Sequence, residues 1–402
     1  MKWFLRLLEK ARPLYEKGGK LSFLYPLHEA TEGFFFTQST VTKNAPHLRD
    51  PLDIKRTMMT VIIALIPCTL FGIYNAGYQY DVVNQIPNAN FWTHWINGAI
   101  LVMPIVMTSY IVGGLWEVLF ALIRKHEINE GFLVTGLLFP LTLPPDIPLW
   151  QVALGISFGV VIGKEIFGGT GFNVLNPALT ARCFLYFAYP AQISGDRVWT
   201  AVTDPSKTIE GFTGATPLAV LQSAPDQSNV VELLHQAGYT LKNMTDGFIP
   251  GSIGETSFIA IAIGALILIA TGVGSWRIMA GCFLGMAGTG ILVNFLPGQD
   301  VNPAMRLPFY YHMVIGGAAF GNVFMATDPV SATATNVGKW IFGVMVGFIT
   351  VVIRLFNPAY MEGSMLAILF GNVMAPMIDY FVLQTHINKR SRYLRKMAYA
   401  ER

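Results

Sequence analysis

Ile96–Ile123 reads INGAILVMPIVMTSYIVGGLWEVLFALI, 28 residues that contain one charged side chain, Glu117. As a helix at 1.5 Å per residue it reaches about 42 Å, more than the ~30 Å hydrocarbon core of a bilayer. The stretch therefore reads as a transmembrane helix. Composition extends that reading outward: 53% of the 402 residues are hydrophobic and 13% are charged. A soluble domain carries about 25% charge, so this chain could not cover a soluble enzyme's surface. The net charge of +3 comes with no long basic stripe, which excludes nucleic acid as a partner. The expected class is an all-α polytopic membrane protein.

About ten spans of this kind can be marked: Thr57–Gly77, Ile96–Ile123, Gly131–Leu143, Leu149–Gly163, Pro177–Tyr189, Ser257–Val273, Trp276–Leu296, Tyr310–Thr327, Val337–Leu355 and Gly363–Leu383. The third to fifth are short, and Pro144, Pro145, Pro148, Gly168, Gly169 and Gly171 interrupt them. Interrupted spans read as broken helices, which a membrane tolerates only inside protein. Residues 1–56 hold ten Lys and Arg, residues 386–402 hold six, and residues 78–95 hold none. Basic ends stay in the cytoplasm, so with ten spans both termini are expected there. The long loop 190–256 then faces out. Its three basic residues against seven acidic ones, a net charge of −4, agree with that side.

Asn176-Pro177-Ala178 opens the fifth span and Asn357-Pro358-Ala359 precedes the tenth, about 180 residues on. Leu143-Pro144-Pro145 and Thr327-Asp328-Pro329 follow the third and eighth in the same way. A shift of five spans, an odd number, makes the two halves inverted repeats, an arrangement that builds sites at the repeat interface. The expected divisions are an N-terminal extension (1–56), a first five-helix repeat (57–189), an external loop (190–256), a second five-helix repeat (257–385) and a basic cytoplasmic tail (386–402).

Few residues can carry chemistry. Cys68, Cys183 and Cys282 lie in apolar runs with no CxxC pattern, so thiolate-held zinc or iron–sulfur within this chain is not expected. No two of the seven histidines sit at i, i+4 within one span, which disfavours a bis-histidine haem. No GxGxxG fingerprint follows a strand, so the chain alone should not oxidise NADH. Glu117, Asp379 and Asp328 are acids in or at the end of spans. A buried acid costs roughly 3 kcal/mol on insertion scales and marks a functional site by default. Each has a plainer reading as well: a helix cap for Asp328, and closeness to the interface for Asp379. Gly113 and Gly114, one turn before Glu117, allow close packing of a helix or of a flat ring. In the external loop, Glu210-Gly211-Phe212-Thr213-Gly214-Ala215-Thr216-Pro217-Leu218 reads as a turn ending at a helix start, with Thr216 as N-cap and Pro217 at the first helical position. The same geometry suits a phosphate, and Gly214 and Ala215 leave room for a bulky group on the Thr216 hydroxyl. Trp3–Leu8, flanked by Lys2 and Lys10, forms an amphipathic stretch for a membrane surface or a partner.

Several blocks together resemble one family: Val41-Thr42-Lys43, His47-Leu48-Arg49-Asp50, Tyr74-Asn75-Ala76-Gly77, Ile111 to Gly114, Trp116 to Phe120, Arg124 to Glu127, Lys164 to Gly171, Tyr189 to Asp196, Ile249 to Glu255, Met325 to Ser331 and Asn357 to Tyr360. The chain is similar to the B subunit of the bacterial sodium-translocating NADH:quinone reductase over nearly its whole length. The resemblance implies FMN held by a phosphoester on the last threonine of an Asp-Gly-x-Ser/Thr-Gly-Ala-Thr motif, here Thr216. A flavin transferase that works outside the cytoplasm attaches it. It implies a noncovalent riboflavin, ubiquinone as substrate, quinone contacts at Gly113 and Gly114, and sodium as the transported ion. Its uptake would use acids at Glu117 and Asp379, and Asp328 is a third candidate. It implies a six-subunit inner-membrane complex with a periplasmic FMN subunit and an NADH-oxidising FAD/iron–sulfur subunit. Glu210 departs from the motif's usual Asp, and Val202 to Ile209 looks like an insertion before it. Two other readings predict different chemistry: the D subunit of a ferredoxin:NAD+ oxidoreductase ion pump, and a flavin-free channel for a small solute.

Overall fold

The computed structural model describes residues 54–124, 131–193, 199–202, 215–225, 229–296, 302–357 and 360–400, with 13–15, 25 and 45 as isolated positions. The amphipathic stretch Trp3–Leu8, Glu210, Gly214 and all but the first residue of the expected insertion lie outside the described residues.

The described chain is helical, with no strand among the described residues. The first set of helices is α1 (Ile54–Val83), α2 (Phe91–Arg124), α3 (Gly131–Leu141), α4 (Leu149–Val161) and α5 (Pro177–Ala188). In the described part of the loop, a single helical turn at Pro190–Ile193 is followed by the short helices α6 (Pro217–Gln222), α7 (Val230–Gln236) and α8 (Leu241–Asp246). The second set is α9 (Phe258–Ala270), α10 (Trp276–Asn294), α11 (Phe309–Val314), α12 (Asn336–Phe356) and α13 (Ser364–Ala400). Among the described residues, six helices are long and apolar enough to cross a membrane, and Gly131–Leu141 and Phe258–Ala270 are shorter apolar ones. The chain is thus an all-α polytopic membrane protein.

Local chemistry sets the helix ends. Asn176 opens α5 by accepting from the Ala178 and Leu179 amides at 3.0 and 3.3 Å, and Pro177 needs no amide partner at the first helical position. Ser257 opens α9 by accepting from the Ala260 amide at 3.2 Å. The α3 helix stops after only 11 residues, ahead of Pro144 and Pro145. Its freed carbonyls are not left bare. The Gly254 amide donates to the Leu141 carbonyl at 2.7 Å and the Ile253 amide to Leu143 at 3.1 Å. Leu141, Thr142 and Leu143 are all fully buried, so this irregular stretch is satisfied inside protein, as a membrane requires.

The eighth expected span, Tyr310–Thr327, is not one helix. After α11 the chain breaks at Ile315–Gly317, with Gly316 at φ +69°, where an L side chain is strained. It resumes as Ala318–Phe320 and a π-turn over Gly321–Met325. The break leaves carbonyls without helical donors. Arg354, on α12 and 2% exposed, donates to His312 at 2.5 Å and to Ile315 at 2.7 Å.

The two sets of helices pack in corresponding ways. The pairs α2–α4, α4–α5 and α2–α3 in the first set match α10–α12, α12–α13 and α10–α11 in the second. Across the sets α1 packs on α9 and α5 on α13, the first with the first and the last with the last. The α10–α12 crossing depends on small residues: a Cβ on Gly285 or Gly347 would strike the opposing backbone at Val344 or Cys282.

Candidate functional site

A cleft opens where α1, α3 and α5 begin and α9 ends. Its cavity is about 80 Å³, and Val61, Leu138, Leu268 and Phe324 supply apolar wall. Lys164, Thr170, Asn173, Asn176 and Asp328 supply the polar wall. The Thr170 hydroxyl is buried with no hydrogen-bond partner, so this wall has unspent polar capacity.

Asp328 lines this cleft, and Glu117 is joined to its wall through Lys164. Glu117 is 4% exposed on α2, and its Oε1 accepts from Lys164 Nζ at 2.5 Å. The lone acid of the second span therefore has a buried countercharge, a partner 47 residues away in sequence. A second crossed pair lies beside it. Arg124 donates to Glu165 Oε2 at 3.2 Å and to the Glu165 carbonyl at 2.6 Å. Glu117 and Arg124 are two turns apart on α2, so one face of that helix clamps Lys164 and Glu165 in register. Asp328 lies in the cleft wall and accepts from Ser331 Oγ at 2.7 Å and the Val330 amide at 3.3 Å, which fits the reading of a capped turn.

Asp379 stands apart from the cleft lining. It accepts from the Ala334 amide at 2.7 Å, the Thr335 amide at 3.1 Å and Thr335 Oγ1 at 2.5 Å. It thereby ties α13 to the start of α12, where Thr335 caps the Gly338 amide at 3.1 Å. Gly113 is filled by packing: a Cβ there would come within 2.5 Å of the Phe132 ring. Gly114 meets only the edge of the same ring, at 3.8 Å, and keeps open space.

Thr216 lies in the loop assembly beyond the other end of the helices. It is half-buried, and its Oγ1 accepts from the Ala219 amide at 3.3 Å, with Pro217 next in line. The N-cap reading is therefore correct. The helix it opens has only six residues, so its dipole offers little to a phosphate. Position matters more. The Tyr239 hydroxyl donates to the Ala215 carbonyl at 2.5 Å, and burial pushes the phenol up to about 12, so it stays a donor at neutral pH. Leu218, Leu221, Leu234, Tyr239 and Met244 form a small core with Tyr311 and Ile315 of the broken helix. A Cβ on Gly316 would meet Leu218 at 2.8 Å and Arg354 at 3.4 Å, so the loop helix rests on the helix break.

Beneath it lies a charge cluster absent from the expected site. Arg182, 3% exposed on α5, donates to Glu255 Oε1 at 3.0 Å and to Glu362 Oε2 at 2.5 Å. Burial pushes the Glu255 carboxyl up to about 7, with Arg182 pulling the other way. Its Oε2 and the Tyr360 hydroxyl are buried without hydrogen-bond partners. Arg182 and Arg354 were legible as cations inside the fifth and ninth apolar spans, where a charge always calls for a partner. No group of three or more His, Cys, Asp or Glu that could hold a metal ion occurs among the described residues.

Fold and site together define a polytopic helical membrane protein with buried ion pairs and broken helices. Residues 41–388 match the model of the NQR2, RnfD, RnfE family. The chain is 51% identical over 405 residues to the Na(+)-translocating NADH-quinone reductase B subunit of Ectopseudomonas mendocina, covering 95% of this chain and 97% of that one. It is likewise 51% identical to the protein of the same name from Stutzerimonas stutzeri over the same shares. The identity to that of Azotobacter vinelandii is 48%, with 95% and 97% covered. The chain belongs to the NQR2, RnfD, RnfE family.

Proposed function

We propose that this chain is the B subunit of a respiratory, sodium-pumping NADH:ubiquinone reductase of the bacterial inner membrane. The observation that carries the reading is likeness along almost the entire chain to proteins of that name. The family description also covers RnfD and RnfE. The near-50% identities to quinone-reductase subunits favour quinone over ferredoxin chemistry.

In this reading Thr216 holds FMN through a phosphoester at the periplasmic end, installed by a flavin transferase. Thr216 is half-buried and the backbone beside it, at Ala215, is held by Tyr239, which suits a group that must be reachable and held. The lining of the cleft, at the cytoplasmic end in this reading, matches a noncovalent riboflavin in chemistry, with apolar wall beside a flat ring and Thr170, Asn173 and Asn176 for a hydroxylated chain, and the cleft would widen to take it. Flavins supply one-electron steps between the periplasmic FMN subunit and ubiquinone. This chain's residues bind, space and charge-balance them. Gly114, with its open space, would border the quinone. Glu117, Asp328 and Asp379 would stage sodium, each by giving up the donors it now holds. NADH oxidation belongs to a separate FAD/iron–sulfur subunit.

The test is the assembled complex in proteoliposomes. NADH and ubiquinone should drive 22Na+ uptake that a protonophore does not abolish. Quinone reduction without sodium uptake would contradict the pump. A narrower prediction concerns Tyr239→Phe. It removes one hydrogen bond, worth about 1 kcal/mol, and loosens the acceptor segment. The flavinylated fraction of Thr216, read as in-gel flavin fluorescence after limiting exposure to the transferase, should fall several-fold, with the protein still assembled.

A further inference from the structure

A second, smaller cavity lies against the latter half of α1. Asn75 and Gln79 of α1 line it, together with Pro145, Thr200 and residues 250–253. Its volume is about 10 Å³, the room of one water-sized sphere. Thr200 is 3% exposed, and its hydroxyl is buried with no hydrogen-bond partner among the described residues. A buried polar atom of that kind calls for an occupant. No carboxylate and no Lys or Arg lines the cavity. An anion would find no countercharge there, and divalent cations take carboxylates.

The lining side chains spend their hydrogens elsewhere. Asn75, 4% exposed, donates to the Ile249 carbonyl at 3.0 Å and to Thr256 Oγ1 at 3.4 Å. Gln79 donates to Asn75 Oδ1 at 3.4 Å. Pro145 and Pro250 have no N–H to offer. Most of the remaining side-chain capacity is oxygen: the amide oxygens of Asn75 and Gln79 and the hydroxyls of Thr200 and Ser252. The α3 helix stops ahead of Pro144 and Pro145, beside this cavity, and broken helices are where membrane proteins place Na+. We propose that the cavity is a site for one dehydrated Na+, which fastens the Trp199–Thr200 segment to α1 and to residues 250–253. Glu117, Asp328 and Asp379 do not line it. The site is therefore separate from the acids assigned to transport, and it stands without that assignment.

The test uses the assembled complex without turnover. In crystals grown with Tl+ in place of Na+, an anomalous peak should stand among Asn75, Gln79, Thr200 and Ser252. Thr200→Val keeps the shape and loses the hydroxyl, and Thr200→Ser keeps the hydroxyl. The peak should vanish in the first and remain in the second. In solution, Na+ at about ten times its dissociation constant should slow tryptic cleavage after Arg197 about tenfold against choline at equal ionic strength. Arg197 lies two residues before Trp199, and cleavage there needs the segment to open. Thr200→Val should lose this protection and Thr200→Ser should keep it. Gln79→Leu removes an oxygen from the α1 side and should lose it too, so the test does not depend on one variant assembling. A wild-type cavity that holds only water, with the same density in Tl+, Na+ and choline, overturns the site. So does cleavage after Arg197 at one rate in Na+ and choline, or protection kept in both Thr200→Val and Gln79→Leu.

Discussion

Arg182→Met is expected to cause the largest structural loss of any single replacement in this chain. The guanidinium joins α5 to the segments that lead into α9 and α13, by way of Glu255 at 3.0 Å and Glu362 at 2.5 Å. Breaking a buried pair by removing one partner costs about 3–5 kcal/mol, because the other charge stays behind. Here two carboxylates stay behind, one of them 6% exposed. The assembled complex should lose its thermal tolerance, and little of this chain should remain in purified complex. The cost comes from stranded charge, so Arg182→Met with Glu255→Gln should recover part of it, a non-additivity expected of residues in contact. A thermal inactivation midpoint unchanged in Arg182→Met would remove the cluster from the forces that hold the two helix sets together.

Thr216→Asn separates two roles that Thr216→Ala would confuse. The Thr216 side chain caps α6 through the Ala219 amide at 3.3 Å, and losing a cap costs roughly 1 kcal/mol. Asparagine is as good a cap as threonine, but it has no hydroxyl to esterify. The variant should therefore assemble normally and carry no covalent flavin at this position. Quinone reduction should fall by orders of magnitude, since a carrier in series cannot be bypassed by a small rise in barrier. Thr216→Ser keeps both the cap and the hydroxyl and should retain part of the flavin. Assembly and flavin content measured on the same preparations separate the cap from the ester.

Much of the fold was legible in the sequence because it depends on local signals. Twenty apolar residues in a row can only be a span or a core. Thr216-Pro217 and Asn176-Pro177 are helix starts wherever they stand, and both are helix starts here. The short third and fifth spans followed from the prolines and glycines around them, while the fourth, Leu149–Phe167, is one of the six long enough to cross. The break in the eighth span was hidden, because Ile315-Gly316-Gly317 lies in an unbroken apolar run and the residue that makes the break tolerable is Arg354 on the next helix. The site was legible by residue type and not by pairing. Glu117 stood out as the single charge of its span. Its partner Lys164 is 47 residues away, and Arg182 finds its partners 73 and 180 residues away. No periodicity reports such distances. Asp379 also changed in kind: an acid near the end of a span turned out to hold three donors at the start of α12.

The covalent flavin on Thr216 is the centre of the proposed mechanism, and the mass of one peptide tests it. The protein is expressed with its active flavin transferase, digested, and the peptide containing Thr216 is weighed and fragmented. The mechanism predicts the mass increase of an FMN phosphoester on Thr216, absent from Thr216→Asn. An unmodified Thr216, in a preparation whose transferase flavinylates a control substrate, would contradict it.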